Sequence, residues 1–392
     1  MTGSTDLGSR RTATLQDVAR AAGVSVTTAS RSLNPGAEHR VVTDAFRRRV
    51  LLAARRLEYN PNVPARAIAN GSTSTVAAIV GDLADPTSSS IVSGLVAEAD
   101  RRRLTVSIAS TGRDHEREPE LVRRLRAQRP GAIILAAPRV ADRATESALR
   151  EELTMYRRTG GRVACVGRNG LGVPTVELDD RGGGAALARA MSALGHRHVA
   201  ALAGPVVSTA TMDRLGGFRA AAEGDGRALV IDAVIHAALT RDDGYDGARR
   251  LLGARSRRPR LIVATDDVLA IGALAAVRDA GLVPGEDVAV AGFGDLPAAR
   301  DVLPGLTTVR VPFEELGRRV VAIALDDPEG CGATVVGIGV VVRGSTPRLD
   351  RDRGAEGPPR LVRDDSSELL DSQSDRSLVW PVNENVNVHH CC

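Results

Sequence analysis

No lysine occurs in these 392 residues; arginine supplies every basic side chain apart from histidine. That excludes a GxxxxGK[ST] phosphate loop, which places a lysine ammonium on the bound phosphates. Aromatics make up only 2% of the chain, so its cores must be built from Val, Ile, Leu and Ala. Four cysteines, at 165, 331, 391 and 392, give no CxxC spacing and no disulfide framework, which fits a reducing compartment. There is no run of about 18 apolar residues to span a bilayer. The opening "MTGSTDLGSRRTATL" lacks the apolar stretch of a secretory signal. A cytoplasmic protein with no membrane partner is expected.

The chain is long enough for two or three domains, and its charge is uneven. Residues 1–73 hold 11 Arg against 5 Asp and Glu, a balance of +6, whereas residues 351–392 hold 5 Arg against 8 acids, a balance of −3. A basic head on a near-neutral body suggests a polyanionic partner for the head; a merely solvated basic surface is the plain alternative.

From residue 14 to about 60 the patterning is helical. Thr14 can cap a first helix, with Asp17 three residues on returning the bond, and Leu15, Val18, Ala19 and Ala22 share one face. Gly23 stands where the chain must turn sharply, a place for a residue tolerant of positive φ. Ser25 can cap a second helix from Val26 to about Leu33, with Ala29 and Leu33 facing the first. Thr43 would cap a third, whose Phe46, Val50, Leu51, Ala54 and Leu57 lie along one side, Phe46 and Leu57 closing the small core. Two short helices around a tight Gly turn make a helix-turn-helix, whose second helix enters a DNA major groove. A helical hairpin that binds nothing is the alternative.

After "NPNVPARAIANGSTST", a Pro- and Gly-punctuated linker, the period changes. Eight short apolar runs ("TVAAIV", "LTVSIA", "GAIILAA", "RVACVG", "HVAALAG", "ALVIDAVI", "RLIVAT", "DVAVAGF") alternate with helical stretches. Such runs suit strands buried on both faces, hence parallel sheets wrapped by helices. Beyond "VVVRGSTPR" the chain is polar and patternless, and disorder is expected there. "DDRGGG" lacks GxGxxG spacing. His196 and His198, either side of Arg197, are poorly spaced for a metal and read as surface or turn residues, and "HHCC" at 389–392 makes a poor designed site. No enzyme, cofactor or metal is expected.

"TLQDVARAAGVSVTTASRSLN" followed by "RRLEYNPNVPARAI" resembles the head and hinge of the LacI/GalR family of bacterial transcription regulators. The likeness continues in order through "GHRHVAALAGP", "RLGGFRAA", "ATDDVLAIGALAAVRDAGLVPGEDVAVAGFGD", "LTTVRVPFEELG" and "VVVRGST", to about residue 347. It implies a three-helix DNA-binding head over 14–61 behind a leader at 1–13 and a hinge helix and linker over 62–73. It also implies a two-lobed α/β body like periplasmic binding proteins over 74–348, with a tail at 349–392.

The resemblance implies that Val26, Thr27 and Arg31 read bases, and that Thr14, Ser25, Ser30 and Asn34 meet phosphates, Ser30 reading as well as a cap. The hinge would wedge Ile68 into the minor groove, with Ala65 beside it and Arg66 near phosphates. Two departures from the family's pattern stand out, a longer loop at "PGAEHRV" and Phe46 in place of a polar residue. In the body, Arg214 would anchor the effector, with Asp295, Arg168, Thr265, Asp266 and Thr87 at comparable strand-end loops; for Asp266 a helix N-cap is the weightier role. Thr87, Ser88 and Leu239 stand where relatives often carry aromatics. Two arginines and few aromatic platforms suggest a small polar effector, sugar-like or anionic. Reading a pseudo-palindrome requires a homodimer on double-stranded DNA. A transport binding protein with the same body would need a signal peptide and would have no use for the basic head. Repressor-type regulation by a small molecule is expected.

Overall fold

The structure is a computed structural model that describes residues 13–33, 42–59, 74–224, 229–254, 258–327, 333–336, 338–349 and 379–381. The chain divides into two units, Met1–Thr73 and Ser74–Cys392.

The first unit holds α1 (Leu15–Ala22), α2 (Val26–Leu33) and α3 (Asp44–Arg56). Thr14 and Asp17 form a reciprocal capping box at the start of α1, and Gly23 ends it at φ 63°. That left-handed turn is cheap for glycine and lets α2 start two residues later. Ser25 caps α2 by accepting the Thr28 N–H at 3.1 Å. Val18, Ala19, Ala22, Ala29, Val50, Ala53 and Ala54 form the core, with Leu15, Leu33 and Leu57 packed against it. Two expectations for α3 need correction. The Thr43 side chain makes no capping bond, and Phe46 and Leu51 are exposed, at 41% and 42%. Core alanines bring the helices so close that Val50 with Ala53 and Ala54 fills the space. Phe46 lies outside, with the Arg49 guanidinium 5.6 Å from its ring centroid.

In the second unit every expected apolar run is a strand: β1 (Thr75–Val80), β2 (Thr105–Ser110), β3 (Ala132–Ala136) and β4 (Arg162–Val166) in one lobe. Between them run α4 (Pro86–Arg101), α5 (Glu118–Ala127) and α6 (Arg143–Arg158). A short strand that the sequence pattern had not marked, β5 (Thr175–Leu178), follows. The second lobe comprises α7 (Asp180–Ala193), β6 (His198–Ala203), α8 (Thr209–Gly224), β7 (Val230–His236), α9 (Arg241–Leu252), β8 (Leu261–Ala264), α10 (Asp267–Asp279), β9 (Ala289–Gly294) and β10 (Thr307–Arg310). The chain then returns to the first lobe as α11 (Phe313–Asp326) and β11 (Ala333–Val336), and ends in the second as β12 (Gly339–Val341) and β13 (Val379–Pro381).

The sheets run β11-β5-β4-β3-β1-β2 and β13-β12-β10-β9-β8-β6-β7. Pairing is parallel except that β12 lies antiparallel to β10 and to β13. β2 and β7 are edge strands and alternate between half-buried and exposed residues, so burial on both faces is limited to the inner strands. The short β13 places three tail residues in the sheet, against the expected disorder of that stretch.

Three helix pairs pack backbone on backbone. A Cβ at Gly94 would lie 1.8 Å from the Glu314 carbonyl oxygen, and one at Gly317 2.0 Å from that of Ile91, so α4 and α11 meet at glycines. Gly184 and Gly217 do the same for α7 and α8, and Gly244 and Gly272 for α9 and α10. In a chain poor in large side chains, glycine contacts replace side-chain interdigitation as the device that fixes helix spacing.

Candidate functional site

The head offers a surface. On α2, Ala29 and Ser32 turn inward while Val26, Thr27 and Arg31 are exposed together, as residues contacting base edges must be. Thr14 and Ser25 are both occupied as caps, Thr14 Oγ1 also donating to Asp17 Oδ2 at 2.6 Å. Ser30 is half-buried. Asn34, Ala65, Arg66 and Ile68 lie outside the described residues.

The body offers a cleft of about 390 Å³ lined from both lobes. It opens at the carboxyl ends of the strands, where side chains leave the sheets without disturbing the ladders. Arg214, in the second turn of α8, is the centre of its polar wall. Nε donates to Asp180 Oδ1 at 2.7 Å and Nη1 to the Thr265 carbonyl at 2.8 Å, and the guanidinium carbon stands 4.1 Å from the centroid of Phe293. Asp266 Oδ2 lies 3.9 Å from Nη1, while Oδ1 caps α10 through the Val268 N–H at 2.9 Å. Asp266 therefore fills the N-cap role while also facing the cleft. Burial pushes its carboxyl up to about 6, against the pull of Arg214.

The other sequence-derived residues divide. Thr87 lines the cleft at the start of α4, where its N–H donates to the Asp85 cap at 3.0 Å. Arg168 also lines it, but its guanidinium reaches across to Asp213 of the other lobe at 2.8 Å. Thr265 and Asp295 are not among the lining residues. Thr265 Oγ1 is spent on the Gly204 N–H at 2.9 Å. Asp295 is held by Arg310 at 2.6 Å and Arg343 at 2.5 Å, with its side chain 2% exposed. Burial alone would raise that carboxyl, but these two arginines outweigh it and keep it below the ordinary range.

Sequence reasoning missed the acids Asp85, Glu177, Asp179 and Asp180, and the apolar wall of Phe313 and Leu316. Their signal was present: "DLADP" comes just after β1 and "ELDD" runs out of the end of β5, but the glutamate in "TVEL" breaks the apolar run that would mark a strand. His196 also departs from expectation. It is 3% exposed, and burial lowers its pKa to about 4.

Behind the cleft, Asp267 is wholly buried. It accepts Thr308 Oγ1 at 2.6 Å and the Leu296 N–H at 2.9 Å, bracing the loop after β9. Desolvation pushes its carboxyl up to about 7 in spite of those bonds. A carboxyl raised by folding binds its proton more tightly in the folded state. Its stabilising contribution is therefore full near its unfolded pKa of about 4 and lost as pH climbs through about 7. Relative to Asp267→Asn, the parent should lose stability between those limits. Urea midpoints of both proteins across that range measure the effect; a constant gap would contradict it.

Residues 14–62 match the model of bacterial regulatory proteins of the lacI family, and residues 188–346 that of the periplasmic binding protein-like domain. The chain is 30% identical over 306 residues to the transcriptional regulator DegA of Bacillus subtilis, covering 78% of this chain and 88% of the relative. The chain belongs to the LacI family of bacterial transcriptional regulators. To another LacI-family member, GalR of Escherichia coli, it is 30% identical over 318 residues, covering 80% and 88%. The crystal structure of the Lac repressor dimer bound to operator and the anti-inducer ONPF superposes with a TM-score of 0.77 at 25% identity, covering 86% of this chain and all of that one. A CelR–cellobiose complex matches with a TM-score of 0.60 at 30% identity, covering 85% and 99%. Like its relatives, this LacI-family protein is a DNA-binding regulator of transcription and not an enzyme. No helix among the described residues is long and apolar enough to cross a membrane.

Proposed function

We propose that the protein is a repressor-type regulator that binds a pseudo-palindromic operator as a homodimer and responds to a small polar effector in the cleft. The observation that carries this reading is the two-lobed lining of the cleft. The lobes are joined by backbone crossings, by a β-bridge between Val140 and Ser208, and by side-chain contacts such as Arg168–Asp213 and Arg113 Nη1 to the Leu239 carbonyl at 3.3 Å. A molecule touching both walls binds one lobe arrangement better than another, and differential affinity is what shifts an equilibrium. Hydroxyl groups suit the Arg214–Asp180 pair, which presents a donor and an acceptor side by side, and Phe313 offers an apolar face. The lining arginines are largely neutralised by neighbouring acids, which favours a sugar-like molecule over an anion.

Sequencing of genomic fragments bound at moderate salt tests the DNA half. A short pseudo-palindrome should be recovered; salt-sensitive binding without a shared motif would refute operator recognition. Arg31→Ala should weaken binding to that operator by about 1–3 kcal/mol and relax preference at one base pair of each half-site. Competition against operators varied at each position reads both effects. An unchanged profile would remove Arg31 from the base-reading set.

A further inference from the structure

The charges of the cleft do not balance. Arg214 is met by Asp180, Arg168 by Asp213 at 2.8 Å, and Arg139 by Glu118. Asp85, Glu177, Asp179 and Asp266 also line the space, against Arg181. Arg113 lies near Asp85 and Asp266 but bonds Asp82 at 3.1 Å and the Leu239 carbonyl. Among the described residues no cluster of acids is arranged to hold a metal ion.

Two of the surplus carboxylates come from opposite lobes. Asp85 caps α4, accepting the Thr87 N–H and, at 3.4 Å, Ser88 Oγ. Asp266 caps α10 and has one oxygen beyond hydrogen-bond reach of its nearest arginine. Both line the same cleft, one from each lobe, and burial raises both carboxyls. Like charges on facing walls resist lobe closure; a cation between them relieves both at once.

Resting on the reading of this cleft as the effector site, we propose that the effector carries a positively charged nitrogen beside its hydroxyl groups. It would be an amino sugar or hydroxylated amine, its ammonium seated between Asp85 and Asp266 and its hydroxyls on Arg214 and Asp180. This closes the charge account of the cleft and couples ligand binding to lobe closure, because one ammonium contacts both lobes.

The test is calorimetric titration of the full-length protein with a matched panel: hexosamines and amino-polyols, their N-acetylated forms, the parent hexoses and polyols, and the corresponding uronic acids. A cationic member should bind at least tenfold more tightly than its acetylated and uncharged counterparts. Asp85→Asn and Asp266→Asn, which keep an N-cap acceptor, should each bring the ratio of cationic to N-acetylated binding below about threefold, a ratio that a general loss of binding would leave unchanged. Preference for a neutral or acidic member would overturn the charge assignment and leave the cleft an effector site. A cationic preference indifferent to both substitutions would overturn the seat between the two aspartates. Silence from all four classes would overturn the polar-effector reading and this proposal together.

Discussion

Gly217→Val is expected to disrupt the body far more than its position on an ordinary helix suggests. A Cβ there would sit 1.9 Å from the Arg181 carbonyl oxygen, and one at the facing Gly184 2.0 Å from that of Arg214. Neither neighbour is the movable end of a side chain. Both are backbone inside helices, so α7 and α8 must separate along their length. The cost belongs at or beyond the upper end of overpacking penalties, ~3 kcal/mol, equivalent to a fall in melting temperature of about 6–12 °C for a domain of this size. The functional consequence follows from spacing. Asp180 lies one turn before Gly184 and Arg214 just under one turn before Gly217, so separating the helices pulls apart the ion pair at the centre of the cleft. Gly224→Ala, on the same helix with nothing near its Cβ position, should stay within about 0.5 kcal/mol of the parent. Thermal unfolding of both variants decides the matter. A valine variant melting with the parent would mean that the helices are not held at backbone contact.

That device also explains what sequence reading could and could not find. Apolar periodicity locates elements, and it located all eight long strands and the three head helices, because each buries a face of its own. It is silent on how closely two elements approach. "DDRGGG" lacks the spacing of a nucleotide loop, and its spacing does not reveal that Gly184 admits the Arg214 backbone. β5 (TVEL) and β10 (TTVR) carry little pattern because polar residues break their apolar runs, whereas the equally short β8 (LIVA) is wholly apolar, and the stretch from β5 into α7 delivers Glu177, Asp179 and Asp180 to the cleft. Phe46 shows the opposite error. Its four-residue spacing to Val50 looks like a core stripe, but spacing cannot tell that alanines have already closed the core. Arg214 was legible through resemblance alone, and only the structure shows it as the hub of a charge network with Asp180, Asp266 and the Thr265 carbonyl.

The network makes Arg214→Ala the more informative variant for function. Side-chain exposure is 11% for Arg214 and 14% for Asp180, so the pair is largely shielded from water. Such a pair adds little beyond a hydrophobic replacement, yet removing one partner strands the other charge, at about 3–5 kcal/mol. Here Asp180 would be stranded, Asp266 would lose the nearby cation that draws its carboxyl down, and the Thr265 carbonyl would lose its donor. The penalty should therefore depend on pH. Burial already raises both carboxyls, Asp266 to about 6, and without the cation they rise further. Below that range protons replace the guanidinium and the variant approaches the parent; at higher pH the gap opens. Asp180→Ala in the Arg214→Ala background should recover part of the loss, since one buried charge fewer remains unpaired. Arg214→Lys should fall between, because an ammonium cannot engage Asp180 and the Thr265 carbonyl with a rigid planar fork. Melting temperatures of the four proteins at pH 5.5 and pH 8 separate these outcomes. A gap equal at both values, or a double variant weaker than the single, would show that Arg214 stabilises the lobe by packing on Phe293 and not by balancing the carboxylates.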